Sequence, residues 1–150
     1  MKCLLQRVTR ASIIINDRVY ASIQQGLCLF LGVSRVDTSK DISYLAKKIP
    51  NLRIFEDKHG KMNRSVLDIQ GQILVVSQFT LYGNVEKGRR PSFEQAALPE
   101  HANSLYVEFV KALKSQNISI YTGKFGANME IDLVNDGPAT FLVESPSSVK

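Results

Sequence analysis

The four consecutive residues Ser77, Gln78, Phe79 and Thr80 include three polar side chains at the predicted end of a strand, a position suited to chemistry on an anionic substrate. They follow an unbroken apolar run at residues 73–76, which predicts a strand buried on both faces. A strand that ends at this point delivers hydroxyls, an amide and free backbone N–H groups, which can stabilise an oxyanion. The same pattern also fits an ordinary central strand followed by a polar turn.

Two further polar segments lie beside glycines. Residues 135–140 contain Gly137, which permits close backbone approach, and Pro138, whose peptide bond can be cis. Residues 122–129 combine loop glycines with Phe125 and Met129, side chains that can stack on a base. Each segment has a structural interpretation as well, as a hairpin turn or a flexible loop. Taken separately, the segments do not identify a function.

The familiar catalytic motifs are missing. The sequence has no Gly-x-Ser-x-Gly elbow, no P-loop and no Gly-x-Gly-x-x-Gly fingerprint. His59 and His101 lack metal-type spacing, and nothing in the chain order favours a Ser-His-Asp triad built on either of them. Cys3 and Cys28 lie in apolar segments and are predicted to be small buried hydrophobes. We therefore expect neither a metal nor a cofactor.

The chain carries a formal net charge of +5. Two predicted loops concentrate it, one around Lys58 and Lys61 and the other around Lys87, Arg89 and Arg90. The excess is compatible with an anionic partner such as RNA, whose phosphates these loops would attract. A basic surface can equally serve only solubility.

Many strands and two helices are predicted to position these segments. Strands are expected at residues 3–9, 12–16, 19–23, 27–33, 52–55, 73–76, 118–122, 129–134 and 140–144, with turns at 16–17 and 135–138. Helices are expected at 38–49, capped by Thr38 and ended by Pro50, and at 99–114. The apolar stripe of the second helix, which includes Tyr106, is interpreted as core packing. Residues 145–150 are expected to fray.

These elements predict one α+β domain, residues 1–150, with a mixed or antiparallel sheet. No apolar run approaches the roughly 20 residues of a membrane span. The first residues lack the apolar stretch and cleavage site of a signal peptide. The expected location is therefore the cytoplasm, without contact with a membrane.

Two signatures, Ser-Gln-Phe-Thr at 77–80 and Asn-x-Gly-Pro-x-Thr at 135–140, become specific in combination. They occur together with Gln-Arg-Val at 6–8, Asn-Leu-Arg-Ile-Phe at 51–55, Gly-Lys-Met-Asn at 60–63 and Arg-Pro-Ser-Phe at 90–93. In this order, and over nearly the whole chain, the sequence resembles the D-aminoacyl-tRNA deacylase family. Ala139 departs from the family, where valine is usual, and this should change packing only slightly.

The resemblance implies a hydrolase that proofreads chirality in translation and needs no cofactor. Its substrates would be tRNAs whose terminal adenosine carries an esterified D-amino acid, and glycine mischarged on tRNA(Ala). The family's fold is α+β, with barrel-like sheet layers and two main helices. The resemblance also implies a homodimer whose partner molecule is aminoacylated tRNA.

The resemblance further implies roles for individual residues. The backbone N–H groups of Phe79 and Thr80 would bind the oxyanion, while Ser77 and Gln78 shape the pocket. Thr80 would orient water with help from the terminal ribose 2′-hydroxyl, because an unassisted threonine is a poor nucleophile. For chiral selection, the matching residues are Gly137 and a cis Pro138, which one subunit would project into its partner's pocket. Arg7, Asn135 and Thr140 would surround that pair. Phe125 and Met129 would lie beside the terminal adenine.

Two alternatives remain open from the sequence. One is a paralogous tRNA deacylase that removes L-alanine, which the Asn-x-Gly-Pro-x-Thr pattern and Arg7 disfavour. The other is a non-catalytic RNA-binding module that uses the same basic loops.

Overall fold

The computed structural model describes residues 1–146. Within them, six strands form one mixed sheet and two short strands form a separate hairpin. The strands are β1 Lys2–Ile15, β2 Arg18–Ile23, β3 Gly26–Gly32, β4 Phe55–Glu56, β5 Met62–Arg64, β6 Gln72–Ser77, β7 Ser119–Thr122 and β8 Glu130–Glu144. The large sheet has the order β2-β1-β3-β6-β7, with β8 paired to β1, and the small hairpin joins β4 to β5.

The sheet is mixed because β6 runs parallel to both β3 and β7, whereas the pairs of β1 are antiparallel. β2 also approaches β6 and β7, which stand elsewhere in the strand order, so the sheet curls towards a barrel. Two helices, α1 Ser39–Lys48 and α2 Pro99–Lys114, pack against each other. The α+β class and both predicted helices are confirmed.

Both faces of β6 are buried, as its four consecutive apolar residues predicted. Ile73 and Val75 belong to a core shared with the two helices. Leu74 and Val76 belong to a second core, which lies against residues of β1 and β8 on the other face. Because successive side chains of a strand point to opposite faces, the run supports the sheet from both sides.

The prediction of two strands, 129–134 and 140–144, separated by a turn is wrong. β8 is a single strand of 15 residues that passes through residues 135–138. Its register with β1 shifts on both sides of Val8. Asn135 replaces ladder contacts there, since its Nδ2 donates to Arg7 O at 3.1 Å and to Ala139 O at 3.4 Å. Pairing along β1 therefore overrides the local turn preference, and the segment becomes an irregularity inside a strand.

Three smaller differences concern element bounds. β1 is continuous where two strands were predicted, and residues 52–54 of the predicted strand precede the short β4. Ser145, expected to fray, is buried, and its Oγ accepts a 2.6 Å hydrogen bond from the Met1 amino group. Residues 147–150 of that predicted tail lie outside the described part of the chain. Between residues 1 and 146, no helix combines the length and apolar character that a bilayer-spanning helix needs.

Candidate active site

A cavity of about 630 Å³ opens where β6 ends, beside the start of α2 and the loop that follows β7. Its walls include Ser77, Gln78 and Phe79 from the end of β6, and Phe125 and Met129 from the segment that follows β7. The structure thus brings together two of the three polar segments that the sequence singled out. Thr80 follows directly in the chain but does not line this cavity.

Backbone geometry at the end of β6 leaves two adjacent donors unpaired. The chain leaves β6 at Ser77 and forms a short 3₁₀ helix, Phe79–Tyr82. The Gln78 N–H donates to Leu31 O at 2.8 Å. The N–H groups of Phe79 and Thr80 make no hydrogen bond to any of residues 1–146, as expected for the first positions of a helix.

Close packing holds this turn in place. Gly32, at the end of β3, lies against it, and a Cβ built on Gly32 would stand 3.1 Å from Gln78 O and 3.0 Å from Leu81 Cβ. On the other side, the Phe79 ring meets the Phe93 ring edge-on, with 5.0 Å between centroids. The two unpaired donors are therefore carried by a well-supported segment.

The side chains of the turn form a polar pair. Gln78 Nε2 donates a 2.5 Å hydrogen bond to Thr80 Oγ1. A hydroxyl that accepts in this way keeps its own proton for donation to another group. Among residues 1–146, no basic side chain hydrogen-bonds the Thr80 hydroxyl. The arrangement favours Thr80 as a hydrogen-bond donor over Thr80 as an activated nucleophile.

The segment that follows β7 contributes an aromatic and a thioether side chain to the cavity wall. Phe125 lies against Tyr106 of α2, with ring centroids 5.8 Å apart. Met129 packs against the second core and also lines the cavity, so its structural and functional interpretations are compatible. Its sulfur lies over Gly123, where a Cβ would come within 2.6 Å of it.

Ionisable side chains are scarce at this site. Of the described residues that line the cavity, Tyr106 alone has a titratable side chain, and burial raises its pKa well above the ordinary range of a phenol. Neither histidine lines the cavity. His101 Nε2 lies 3.2 Å from Asp37 O, and His59 occupies the exposed turn of the β4–β5 hairpin. No group of three or more His, Cys, Asp or Glu side chains within residues 1–146 is arranged to hold a metal ion.

The Gly137-Pro138 segment is exposed and lies outside the cavity of its own chain. Its peptide bond is cis, as predicted. Arg7 is an inward anchor beside it, only 3% exposed. The Arg7 guanidinium donates from Nε to Asp136 O at 3.0 Å and from Nη1 to Ile54 O at 2.6 Å, and Nε also lies 3.0 Å from Asp136 Oδ2. Nearby, Gln6 Nε2 donates to Thr140 Oγ1 at 3.1 Å.

The predicted phosphate-binding cations lie on two exposed loops, away from the cavity walls. Lys58 and Lys61 belong to the β4–β5 hairpin. Lys87, Arg89 and Arg90 belong to a loop that is closed at its base by two hydrogen bonds between the backbones of Asn84 and Ser92. Within residues 1–146, none of these five cations forms an ion pair.

Sequence reasoning missed the part that α2 plays at the cavity. Tyr106 was assigned to the core, and Phe93 was noted only within a motif, yet both line the cavity. The polar end of Tyr106 was the available signal, because a buried tyrosine hydroxyl needs a hydrogen-bond partner. The partner itself, Val75 O, is distant in sequence and is visible only in the fold.

Comparison with known proteins identifies the family. The family model described as D-Tyr-tRNA(Tyr) deacylase matches residues 4–144. Proteins named D-aminoacyl-tRNA deacylase from Thermosipho africanus and Bacillus cereus are 52% and 51% identical over 145 residues, which cover 97% of this chain and 97% and 99% of those proteins. A solved structure described as c-Myc DNA Unwinding Element Binding Protein is 44% identical, with a TM-score of 0.91, and covers 97% of this chain and 99% of that one. The chain therefore belongs to the D-Tyr-tRNA(Tyr) deacylase family.

Proposed function

We propose that the protein hydrolyses the ester of D-aminoacyl-tRNA and releases the free D-amino acid and tRNA. Family membership and the names of relatives about half identical in sequence support this activity. The cavity supports it chemically, because Phe79, which carries one unpaired backbone donor and precedes Thr80, which carries the other, lines the same cavity as the aromatic ring of Phe125 and the thioether of Met129. Such a pair of surfaces suits a substrate with a carbonyl at one end and a base at the other.

The N–H groups of Phe79 and Thr80 bind the oxyanion that forms when water attacks the ester carbonyl. The observation that carries this step is that both N–H groups are unpaired on a turn packed against Gly32 and Phe93. Removal of one such donor typically slows catalysis about 10²–10³-fold. An aminoacyl ester is already activated, so positioning of water and stabilisation of charge supply most of what the reaction requires.

A side-chain general base is not needed in this mechanism. The cavity walls offer no group that titrates near neutral pH among the described residues, and the terminal ribose 2′-hydroxyl of the substrate assists the water instead. Thr80 orients that water by donating its hydroxyl proton, since Gln78 already donates to its oxygen. Ser77 and Gln78 support the pocket.

Chiral selection comes from a second copy of the chain. Gly137 and Pro138 are exposed and do not line the cavity of their own chain, so we propose that they enter the partner's cavity in a homodimer and exclude an L side chain. Arg7 and Asn135 hold the segment in place, and Thr140 borders it. A rigid main chain that excludes side chains still admits glycine, which extends the proposed substrates to glycyl-tRNA(Ala).

The edge of β8 supports the dimer. This strand pairs with β1 alone, so its other edge has no strand partner among residues 1–146. Val134, Phe141 and Leu142 are exposed on it. A long apolar edge is normally covered in a stable protein, and a second copy would cover it while delivering Gly137-Pro138.

The wall formed by Phe125 and Met129 holds the terminal adenine, and the exposed cations guide the acceptor stem. Lys58 and Lys61 lie on a turn braced by Asp57, whose Oδ1 accepts from the His59 N–H at 2.8 Å and the Lys61 N–H at 3.1 Å. Lys87, Arg89 and Arg90 form the second phosphate-binding group. Loss of one phosphate contact should lower the salt dependence of tRNA binding by about one unit of slope.

Deacylation of D-tyrosyl-, glycyl- and L-alanyl-tRNA, assayed side by side, tests the proposed function. We expect turnover of the first two and none of the third. Turnover of L-alanyl-tRNA alone would identify a deacylase of the opposite selectivity, and binding without turnover would identify an RNA-binding module. Either result would overturn the proposal.

A further inference from the structure

Tyr106 makes a buried contact that links α2 to the sheet. Its hydroxyl donates to Val75 O at 2.8 Å, and its side chain is almost fully buried. The same carbonyl accepts the Gly123 N–H at 3.1 Å. The Val75 carbonyl thus accepts two hydrogen bonds, one from Gly123, which directly follows β7, and the other from the helix.

The two backbone groups that meet in this contact come just before the two cavity-lining segments in the sequence. Val75 precedes Ser77 by two residues, and Gly123 precedes Phe125 by two residues. β6 and β7 pair through four residue pairs, of which Val75 with Thr122 is the last. β7 is also the last strand in the sheet order, so a short ladder at the sheet's edge sets how the two halves face each other.

The ring of Tyr106 reinforces the contact made by its hydroxyl. The ring packs against Phe125 at an interplanar angle of 53°, so α2 directly contacts the wall that Phe125 and Met129 form and that we propose holds the adenine. Beside this contact, Gly123 packs closely against the Met129 side chain, since a Cβ built on Gly123 would stand 2.6 Å from the Met129 sulfur. One tyrosine therefore contacts the strand that leads to the turn and the loop that carries the adenosine wall.

We propose that Tyr106 is a positioning residue that sets the spacing between the oxyanion turn, residues 77–80, and the adenosine loop, residues 123–129. The proposal rests on the proposed function of that cavity. A substrate that spans both halves needs them in register, and a misplacement of about 1 Å can cost a hundredfold in rate. Each half keeps its own groups without the Tyr106 hydroxyl, so the defect should fall on ligands that use both halves.

The variant Tyr106→Phe tests this, because it keeps the ring and removes the hydroxyl. Two probes are compared: AMP, which reaches only the adenosine loop, and 3′-amino-3′-deoxyadenosine acylated with D-tyrosine, a stable amide that spans both halves. We expect the affinity for the amide to fall about tenfold, with the affinity for AMP unchanged, since a tenfold loss corresponds to one displaced contact. On D-tyrosyl-tRNA, which spans both halves in the same way, kcat/KM should fall by about tenfold or more, with a raised KM from the lost affinity and a lowered kcat from the misplaced ester.

Tyr121→Phe is the matched control. Tyr121 lies on β7 outside the cavity walls, and its hydroxyl takes only a long 3.4 Å contact from Gln72 Nε2, so both affinities should be unchanged. Equal losses for the two probes in Tyr106→Phe would overturn the spacing role, and so would no loss for either. The ratio of the two affinities within one variant does not depend on how much of it is folded. Failure of the wild type to turn over D-tyrosyl-tRNA would overturn the proposed function alone, while the affinity ratio would still decide the role of Tyr106.

Discussion

Replacement of Arg7 by methionine should both destabilise the protein and loosen the Gly137-Pro138 segment. The Arg7 guanidinium connects Ile54 O, which precedes the β4–β5 hairpin, to Asp136 O and the Asp136 carboxylate. Methionine fills a similar volume but donates nothing. The variant therefore leaves the Ile54 carbonyl without its buried donor and removes the tie that fixes the residue before Gly137.

The size of the effect follows from the partners. A hydrogen bond from a charged donor contributes about 1.5–3 kcal/mol when it is buried, as the bond to Ile54 O is. The Asp136 side chain is 39% exposed, so its ion pair adds less. We expect the free energy of unfolding to fall by about 3–4 kcal/mol in Arg7→Met. Arg7→Lys should lose about 2 kcal/mol, because one ammonium cannot serve both sites.

Urea denaturation and a comparison of D- with L-tyrosyl-tRNA turnover provide the assay. Arg10→Met is the matched control on the same strand, since Arg10 and Asp132 form a 3.0 Å pair that is about half exposed on both sides. That control should lose less than about 1 kcal/mol and keep its discrimination. Equal stability losses in the two variants would refute the reasoning about burial. Unchanged discrimination in a destabilised Arg7→Met would refute the role of Arg7 in holding the segment.

Three further predictions concern other residues. Thr80→Val should slow deacylation without abolishing it, and mass spectrometry of quenched wild-type reactions should find no acyl-threonine; a trapped acyl-enzyme would contradict the orienting role. Cys3 and Cys28 should resist iodoacetamide at pH 8 in the native state, because burial raises the pKa of both thiols, that of Cys28 to about 12; rapid labelling would show that the sheet opens. The Asp57 pKa is lowered, chiefly by the hydrogen bond from Asn63. The Asp57 carboxylate therefore contributes fully to folding stability above about pH 4, and this contribution is lost as the pH falls through the lowered pKa of the folded state. The melting-temperature difference between wild type and Asp57→Asn should therefore shrink below about pH 4, and a pH-independent difference would contradict this.

Local patterns in the sequence predicted the elements that depend on local physics. The doubly buried β6 follows from four consecutive apolar residues. The start of α1 follows from Thr38 and Asp41, which form a capping box. The turn at Asn16-Asp17 follows from residue types that tolerate the left-handed conformation, which both residues adopt.

Features that depend on distant pairing escaped prediction. Residues 135–138 carry strong turn signals, but pairing with β1 on both sides of the irregularity keeps β8 continuous. The same limit applies at the site. The resemblance supplied the candidate residues, but the 3₁₀ turn that leaves the Phe79 and Thr80 N–H groups unpaired is visible only in the fold. So is the contact between Tyr106 and Val75 O.

The central claim is that a rigid main chain both binds the oxyanion and selects chirality. Initial rates of deacylation for D-tyrosyl-tRNA and L-tyrosyl-tRNA, measured with the same tRNA preparation, test it most directly, because the two substrates differ only in configuration. The account predicts rapid release of D-tyrosine and release of L-tyrosine no faster than in buffer alone. Equal rates for the two substrates, or no release of D-tyrosine, would contradict it.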